Sequence, residues 1–411
     1  MTVDLGNGLG HLAYSTLVHP ADDWDELWAS LQDYLPRVKQ RVSPHAPCAV
    51  SLRLSAATVD RLLADRSAMA DLRAFLGGED LYVVTANAFP YGPFKNRLVM
   101  ETVYEPDWRD RRRAEYTKGV ATILSSIAGD GVSPTIQTAP LGFKPHVTSG
   151  VVERFAEQLL RVVAHLVELE RTTGTTVRLG LEPEPFCHLE TTDETIRYFR
   201  EELFTDAAAA RLAALAGIDA AAAAVALRAH LGVVYDICHQ AVEFEDIGAS
   251  LDALVAARIP IVKLQVAAAM RIPAVTNDVV EQLWQFTDTV YLSQTMERRD
   301  DGTIRRFLNL RDALTCWEPG DASPEWRTHF HVPVFLADLG GLGGLGTTRF
   351  AISEALAKHR DTPLSEQVEI ETYTWDVLPA QFKTGDIVEY IERELCWVVE
   401  QLAKPAVPAG S

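Results

Sequence analysis

The sequence predicts a parallel (β/α)8 barrel, and three observations carry that prediction. Eight short apolar runs, most of them rich in β-branched residues and bounded by Pro, Gly or polar residues, recur from end to end. Longer amphipathic stretches separate them, which is the alternation a parallel barrel requires. Four of the later runs end in side chains that can hold a metal, and in a barrel those ends share one rim. A doubly wound open sheet is the alternative, because strand order cannot be read from one sequence.

The strand candidates are 12–17 (LAYSTL), 48–54 (CAVSLRL), 81–87 (LYVVTAN), 134–138 (PTIQT), 177–182 (VRLGLE), 231–237 (LGVVYDI), 260–266 (PIVKLQV) and 367–373 (QVEIETY). The helical stretches include 22–40, 56–76, 108–128, 149–172, 191–228 and 245–258. Two segments depart from plain alternation. Residues 289–309 read as a β-hairpin turning at Asp300-Asp301-Gly302, inserted after the seventh strand. Residues 328–336 (THFHVPVFL) form a ninth apolar run, expected as an ordered loop or an extra strand before the eighth. The Ala-rich stretch 207–230 reads as an outer helix, or a helix pair broken near Gly217. Residues 404–411 read as a frayed tail, which leaves 1–403 as one barrel domain.

Composition bounds the partners. The 411 residues carry 57 acidic and 38 basic side chains, a net charge of −19 and a pI near 5.0. That balance argues against nucleic acid, whose phosphates require Lys and Arg. No run approaches the roughly 18 apolar residues of a membrane span. The start, MTVDLGNGLGHL, lacks the basic-then-apolar order of a signal peptide. The five cysteines are scattered, with no CxxC spacing, so a reducing, cytoplasmic setting is expected.

The chemistry concentrates at the later strand ends. LGLEPEP supplies Glu182 and Glu184, VVYDICHQ supplies Asp236 and His239, VKLQV supplies Gln265, and VEIETYTWD supplies Glu369 and Glu371. Carboxylates meeting at a rim can hold a divalent metal and also move protons. Any one of them alone is more simply a helix cap or a solvated loop residue; their convergence favours function. Pro183 ends the fifth strand, so Glu182 is the better inward ligand. Glu369 and Glu371 share a face, and Glu371 sits nearer the rim. These choices make Glu182 and Glu371 the expected acid/base pair, with Asp236 and Gln265 as further ligands.

His329 and His331 also share a face, and His239 lies just past a strand end, so three imidazoles can form a softer site for zinc or a related ion. The same histidines can instead hydrogen-bond a substrate. The loop Tyr91–Asn96 suits a pocket wall with Lys95 or Asn96 on substrate oxygens, or a rigid turn. The Gly-rich 340–349 lacks the Lys of a P-loop; it is either a phosphate cradle with charge from Arg349 or a flexible lid with Thr347 as a cap. Residues 109–113 (RDRRR) read as a solvated helix face and His19 as structural.

LGLEPEP, YDICH, KLQ and IETYTW resemble the strand-end motifs of the xylose isomerase-like TIM barrels, a group of sugar isomerases, ketose 3-epimerases and endonuclease IV-type enzymes. In the epimerase branch a Glu, an Asp, a His and a Glu hold the metal, and the two Glu move the substrate proton. The matching positions are Glu182, Asp236, Gln265 and Glu371. Gln265 stands where that branch has His, which shifts preference from zinc toward magnesium or manganese. His329, His331 and His239 resemble the residues that hold a further zinc in the endonuclease IV-type branch. The two earlier His of that branch have no counterpart in 85–96 or 134–143.

More narrowly, HLAYSTLVHPADDW, SLRLS, NAFPYGPFKNRLVMETVYEPDW, YDICHQAVEFE, HFHVPVFL and ETYTWDVLP resemble the metabolite traffic protein EboE family, with Leu17 departing from an expected polar residue. That resemblance implies a secondary-metabolite pathway. It also implies a small polyol, cyclitol or sugar-like substrate, with phosphorylated and lipid-linked forms among the alternatives. The expected activity is a metal-dependent isomerase or epimerase using Mn, Mg or Zn. The competing readings are a metal-dependent phosphoester hydrolase and a non-catalytic carrier of a pathway intermediate.

Overall fold

The computed structural model describes residues 5, 8–95, 97–148, 150–287, 290–318, 325–339, 344–374 and 385–404. Its strands in chain order are β1 (His11–Tyr14), β2 (Cys48–Arg53), β3 (Leu81–Asn87), β4 (Thr135–Thr138), β5 (Arg178–Leu181), β6 (Leu231–Asp236), β7 (Ile261–Val266), β8 (Ala268–Ile272), β9 (Thr295–Arg298), β10 (Ile304–Phe307), β11 (Glu325–Val332), β12 (Gly346–Thr347) and β13 (Gln367–Ile370).

Eight of them form one parallel sheet in the order β1-β13-β7-β6-β5-β4-β3-β2. A parallel bridge from Ser15 to Ser51 joins the two ends and closes the cylinder. The fold is the (β/α)8 barrel, and closure rules out the open doubly wound sheet. With helices outside and packed side chains inside, both faces of each strand are covered; β2, β4, β6, β7 and β13 are buried at every position.

The outer helices follow from period and punctuation. In the helix Val152–Thr173, Phe155, Leu159, Val162, Val163, Leu166 and Leu169 recur at helical spacing and are buried. The helix stops at Gly174, whose φ of 75° suits a residue without Cβ. The expected stretch 56–76 divides at Asp65, which ends one helix and caps the next through the N–H groups of Ser67 and Ala68. The stretch 191–228 divides further, and its Ala-rich part is a helix pair, Asp206–Ala216 and Ala220–His230, bent by 98°. The break falls at Gly217, with φ 66°. Among the described residues no single helix is long and apolar enough to cross a membrane.

Between β7 and β13 the chain builds a second, antiparallel sheet in the order β10-β9-β11-β8-β12. The hairpin expected after the seventh strand is its β9–β10 edge. Arg299 N–H donates to the Thr303 carbonyl at 3.0 Å across that turn, with Gly302 at φ 82°. The ninth apolar run is a strand, but it starts earlier than expected, at Glu325, and ends at Val332. β8 follows β7 after Ala267 alone, so one apolar run crosses from the barrel into the inserted sheet. Residue 289 of the hairpin segment, 340–343 of the Gly-rich segment and 405–411 of the tail lie outside the described residues.

Candidate metal centre at the barrel rim

The first half of the site comes from four neighbouring barrel strands. Glu182 directly follows β5, Asp236 ends β6, Gln265 lies in β7, and Glu371 directly follows β13. The Gln265 side-chain nitrogen sits among all three carboxylates, at 2.8 Å from Glu182 Oε1, 2.6 Å from Asp236 Oδ2 and 2.9 Å from Glu371 Oε2. Each glutamate commits its other oxygen to a second amide. Gln137 donates to Glu182 Oε2 at 2.6 Å, and Asn87 donates to Glu371 Oε1 at 2.8 Å. The Phe89 N–H donates to Asn87 Oδ1, which fixes that amide with its NH2 toward Glu371. Asp236 uses Oδ1 to cap the next helix, accepting from Cys238 N–H at 2.6 Å, and leaves Oδ2 for the site.

This arrangement fits a cation. The Gln265 NH2 has two protons for three carboxylates, while its carbonyl oxygen is buried without a partner. A half-turn of the amide would bring that oxygen among the carboxylates, which only a positive charge would stabilise. The result is four hard oxygen donors, the set preferred by magnesium or manganese. Burial, with Glu371 and Asp236 close by, pushes the Glu182 carboxyl well above its usual range. Burial and then Glu369 push Glu371 up to about 8.

The second half arrives mainly from the inserted sheet. His329 and His331 stand in the stretch of β11 between Thr328 and Val332 where its register against β8 shifts, and their rings meet on one side; His239 comes from the first turn after β6. His329 Nε2 lies 3.2 Å from His239 Nε2 and 3.0 Å from His331 Nε2. Each ring's Nδ1 faces an oxygen acceptor: His239 the Pro183 carbonyl at 2.9 Å, His329 the Gln294 Oε1 at 2.8 Å, His331 the Glu371 carbonyl at 2.6 Å. Those acceptors place the ring protons on Nδ1, so three Nε2 lone pairs converge. Outward Nδ1–H bonds of this kind are what orient metal-binding histidines. Burial lowers His329 well below its ordinary value and His331 to about 4, which keeps both neutral. Asp236 Oδ2 lies 3.5 Å from His239 Nε2 and 3.8 Å from His331 Nε2, so it borders both halves.

Both halves open into one pocket. Its floor includes Asn87, Gln137, Glu182, Glu184, Gln294 and Glu371 with the three histidines. Its walls include Leu17, Phe89, Phe94, Val99, Val103, Tyr291 and Tyr373. Glu184, set apart from Glu182 by Pro183, belongs to the imidazole side, where it accepts from Tyr104 Oη at 2.9 Å and Gln294 Nε2 at 3.0 Å.

The three expected substrate contacts are placed differently. Lys95 donates to the Tyr373 carbonyl at 3.1 Å, behind the wall. Asn96 lies outside the described residues. Arg349 donates to the Phe335 carbonyl at 2.8 Å and does not line the pocket, because the helix it starts turns it toward the 333–336 turn. Thr347 Oγ1 accepts from Arg349 N–H at 3.2 Å, as a cap would.

Sequence reasoning missed Asn87, Gln137 and Gln294, neutral amides that carry no signal alone, and Lys263. That lysine was visible as one charge inside the apolar run PIVKLQV.

No family model matches the chain, and no curated protein matches it. Among solved structures the chain is similar to a xylose isomerase-like TIM barrel protein from Mycobacterium smegmatis in complex with magnesium. The TM-score is 0.47 at 11% identity, over 95% of this chain and 96% of that one. It is also similar to the IOLI protein with a bound zinc atom (TM-score 0.44, 13% identity, 97% and 99% covered). A D-tagatose 3-epimerase-like protein gives 0.43 at 12% identity, over 95% and 99%. What this chain does is read from its own side chains.

Proposed function

We propose that the chain is a metal-dependent isomerase or epimerase acting on a small polyol, cyclitol or sugar-like substrate. The carrying observation is the pair Glu182 and Glu371, each fixed by an amide on one oxygen and turned by the other toward Gln265 and Asp236. A divalent ion held by Glu182, Asp236, Gln265 and Glu371 would supply Lewis-acid polarisation of substrate oxygens. Glu182 removes a proton from the carbon beside a carbonyl, and Glu371 returns one from its own side of the pocket. The buried walls keep water away from the reacting carbon. Among the described residues lining the pocket there is no Lys or Arg, which favours a neutral substrate head over a phosphorylated one.

Membership of the metabolite traffic protein EboE family, a place in secondary metabolism and a cytoplasmic setting belong to this proposal. The first two are supported by the sequence strings quoted above, the last by five scattered cysteines without CxxC spacing.

The converging imidazoles favour a second reading, a metal-dependent phosphoester hydrolase in which His239 and His331 with Asp236 would hold a further ion and polarise a phosphate oxygen. One experiment separates the two. Purified protein loaded with Mn2+ is incubated in D2O with a panel of ketoses and keto-cyclitols, and with a model phosphodiester. Deuterium uptake lost in Glu182→Gln and in Glu371→Gln supports proton transfer. Phosphodiester cleavage without deuterium uptake overturns it.

A further inference from the structure

One layer below the rim, the barrel holds a charge pair that the proposed chemistry does not use. Lys263 and Glu369, both fully buried, form an ion pair across β7 and β13. Ser51 Oγ donates to the other Glu369 oxygen at 2.9 Å. The Lys263 ammonium also donates to Gln137 Oε1, and Gln137 Nε2 donates to Glu182 Oε2 at 2.6 Å. A hydrogen-bonded chain thus crosses the barrel from β2 through β13, β7 and β4 to the end of β5.

Barrel interiors are ordinarily filled by branched apolar side chains, and a buried ion pair often contributes no more stability than an apolar pair of similar volume. The charges need another reason, and the direction of the chain supplies one. An ammonium can only donate. The Gln137 oxygen must therefore face Lys263, and its NH2 must face Glu182. Without the lysine the amide is free to turn, and its oxygen would then oppose the carboxylate.

We propose that Lys263 is a positioning residue: acting through Gln137, it fixes the orientation of Glu182 and leaves Glu182 Oε1 free for the centre. This rests on the reading of Glu182 as a metal-holding residue. Partners of metal ligands typically change metal affinity by about 10- to 100-fold when removed, and that is the effect expected here.

The test compares Mn2+ affinity and melting temperature in wild type, in Lys263→Met with Glu369→Met, in Gln137→Met, and in the triple variant. The paired change removes both charges together, so no lone charge is left buried. Expected are a folded protein in each case and Mn2+ binding weakened about 10-fold or more in the paired variant. The triple variant should be no weaker than Gln137→Met alone, because the ion pair acts only through that amide. Unchanged affinity in the paired variant overturns the proposal, and so do losses that add in the triple variant.

A metal-free readout keeps this separate from the metal reading. The Gln137 side-chain NH2 resonance, assigned by its loss in Gln137→Met, should be protected from exchange in wild type and exposed in the paired variant. Wild type that binds no Mn2+ but shows this pattern would overturn the metal reading and leave the positioning role standing. An NH2 signal unaffected by the paired change would overturn the positioning role.

Discussion

The two halves of the centre reach the same pocket by different routes. The carboxylate half is built by the barrel itself: Glu182, Asp236, Gln265 and Glu371 stand on four neighbouring strands, and each position is set by parallel register. The imidazole half depends on an insertion, since His329 and His331 ride on β11, held between β8 and β9 of the second sheet. One half offers hard oxygen donors crowded by like groups; the other offers softer imidazole nitrogens already oriented by Nδ1 acceptors. The contrast predicts two separable metal preferences, and two separable ways to damage the site.

The largest expected effect is on the barrel half. Glu182→Gln with Glu371→Gln should weaken Mn2+ binding by more than about 100-fold, beyond what loss of an outer partner costs. Zinc held by the imidazoles should remain. The metal-free variant should melt at a higher temperature than wild type, because two buried carboxyls that folding pushes out of their ionised form are gone. Metal content by elemental analysis and a thermal scan check both; full Mn2+ stoichiometry in the variant would sink the assignment.

Next is the inserted half. His331→Ala removes one Nε2 ligand and leaves the Glu371 carbonyl without its donor. Zinc affinity should fall by about 10- to 100-fold, with Mn2+ affinity at the carboxylates changed far less. Equal losses of both metals would merge the halves into one inseparable centre.

The halves should also respond oppositely to pH in the metal-free protein. Glu371 is raised in the fold to about 8, so its contribution is present below an unfolded value near 4.5 and is lost as pH rises toward 8. His331 is lowered to about 4, so its contribution is present above 6.5 and is lost as pH falls toward 4. Denaturant titrations from pH 4 to 8 should show Glu371→Gln gaining on wild type by roughly a few kcal/mol toward pH 8. His331→Asn should lose its disadvantage toward pH 4. Saturating Mn2+ should flatten the first trend, because a bound cation inverts the local charge balance. Parallel pH curves for wild type and Glu371→Gln would refute the like-charge account.

How far each half was legible follows from the same contrast. Strand-end carboxylates announce themselves by position: Glu369 and Glu371 share a face, and nearness to the strand end singled out Glu371 at the rim, with Glu369 beside Lys263 one layer down. The HxH spacing showed that two imidazoles share a face, but not that β11 would begin at Glu325 or pair with β8. β8 itself was hidden, because Ala267 is neither Gly nor Pro and VKLQVAAAMRI reads as one apolar run. The amides that fix the carboxylates were illegible: Asn87 and Gln137 matter only through partners more than 40 positions away. Lys95 and Arg349 were chosen by charge and loop position, and the backbone carbonyls they reach are set by tertiary packing.

The smallest effect sharpens the comparison most. β11 is fixed at its first residue by Glu325, which accepts from Arg271 Nε on β8 at 2.8 Å, Arg298 Nη2 on β9 at 2.8 Å and Arg327 Nε at 2.8 Å. Burial alone would raise this carboxyl, but Arg271 and Arg327 override it and hold Glu325 at about 2. Its contribution is therefore present above about 4.5 and is lost only as pH falls toward 2, so it stays constant through the neutral range. Arg271 and Arg298 are partly exposed, which screens their share. Glu325→Gln should thus cost on the order of 1–3 kcal/mol of stability, most of it from the buried Arg327, which loses its charged partner. Yet the change lies four residues from His329 along the same strand, and the barrel carboxylates do not depend on it. Zinc affinity should drop a few-fold while Mn2+ affinity holds. If Mn2+ affinity falls in step with zinc, the inserted sheet positions the carboxylates too, and the division between a barrel half and an inserted half is wrong.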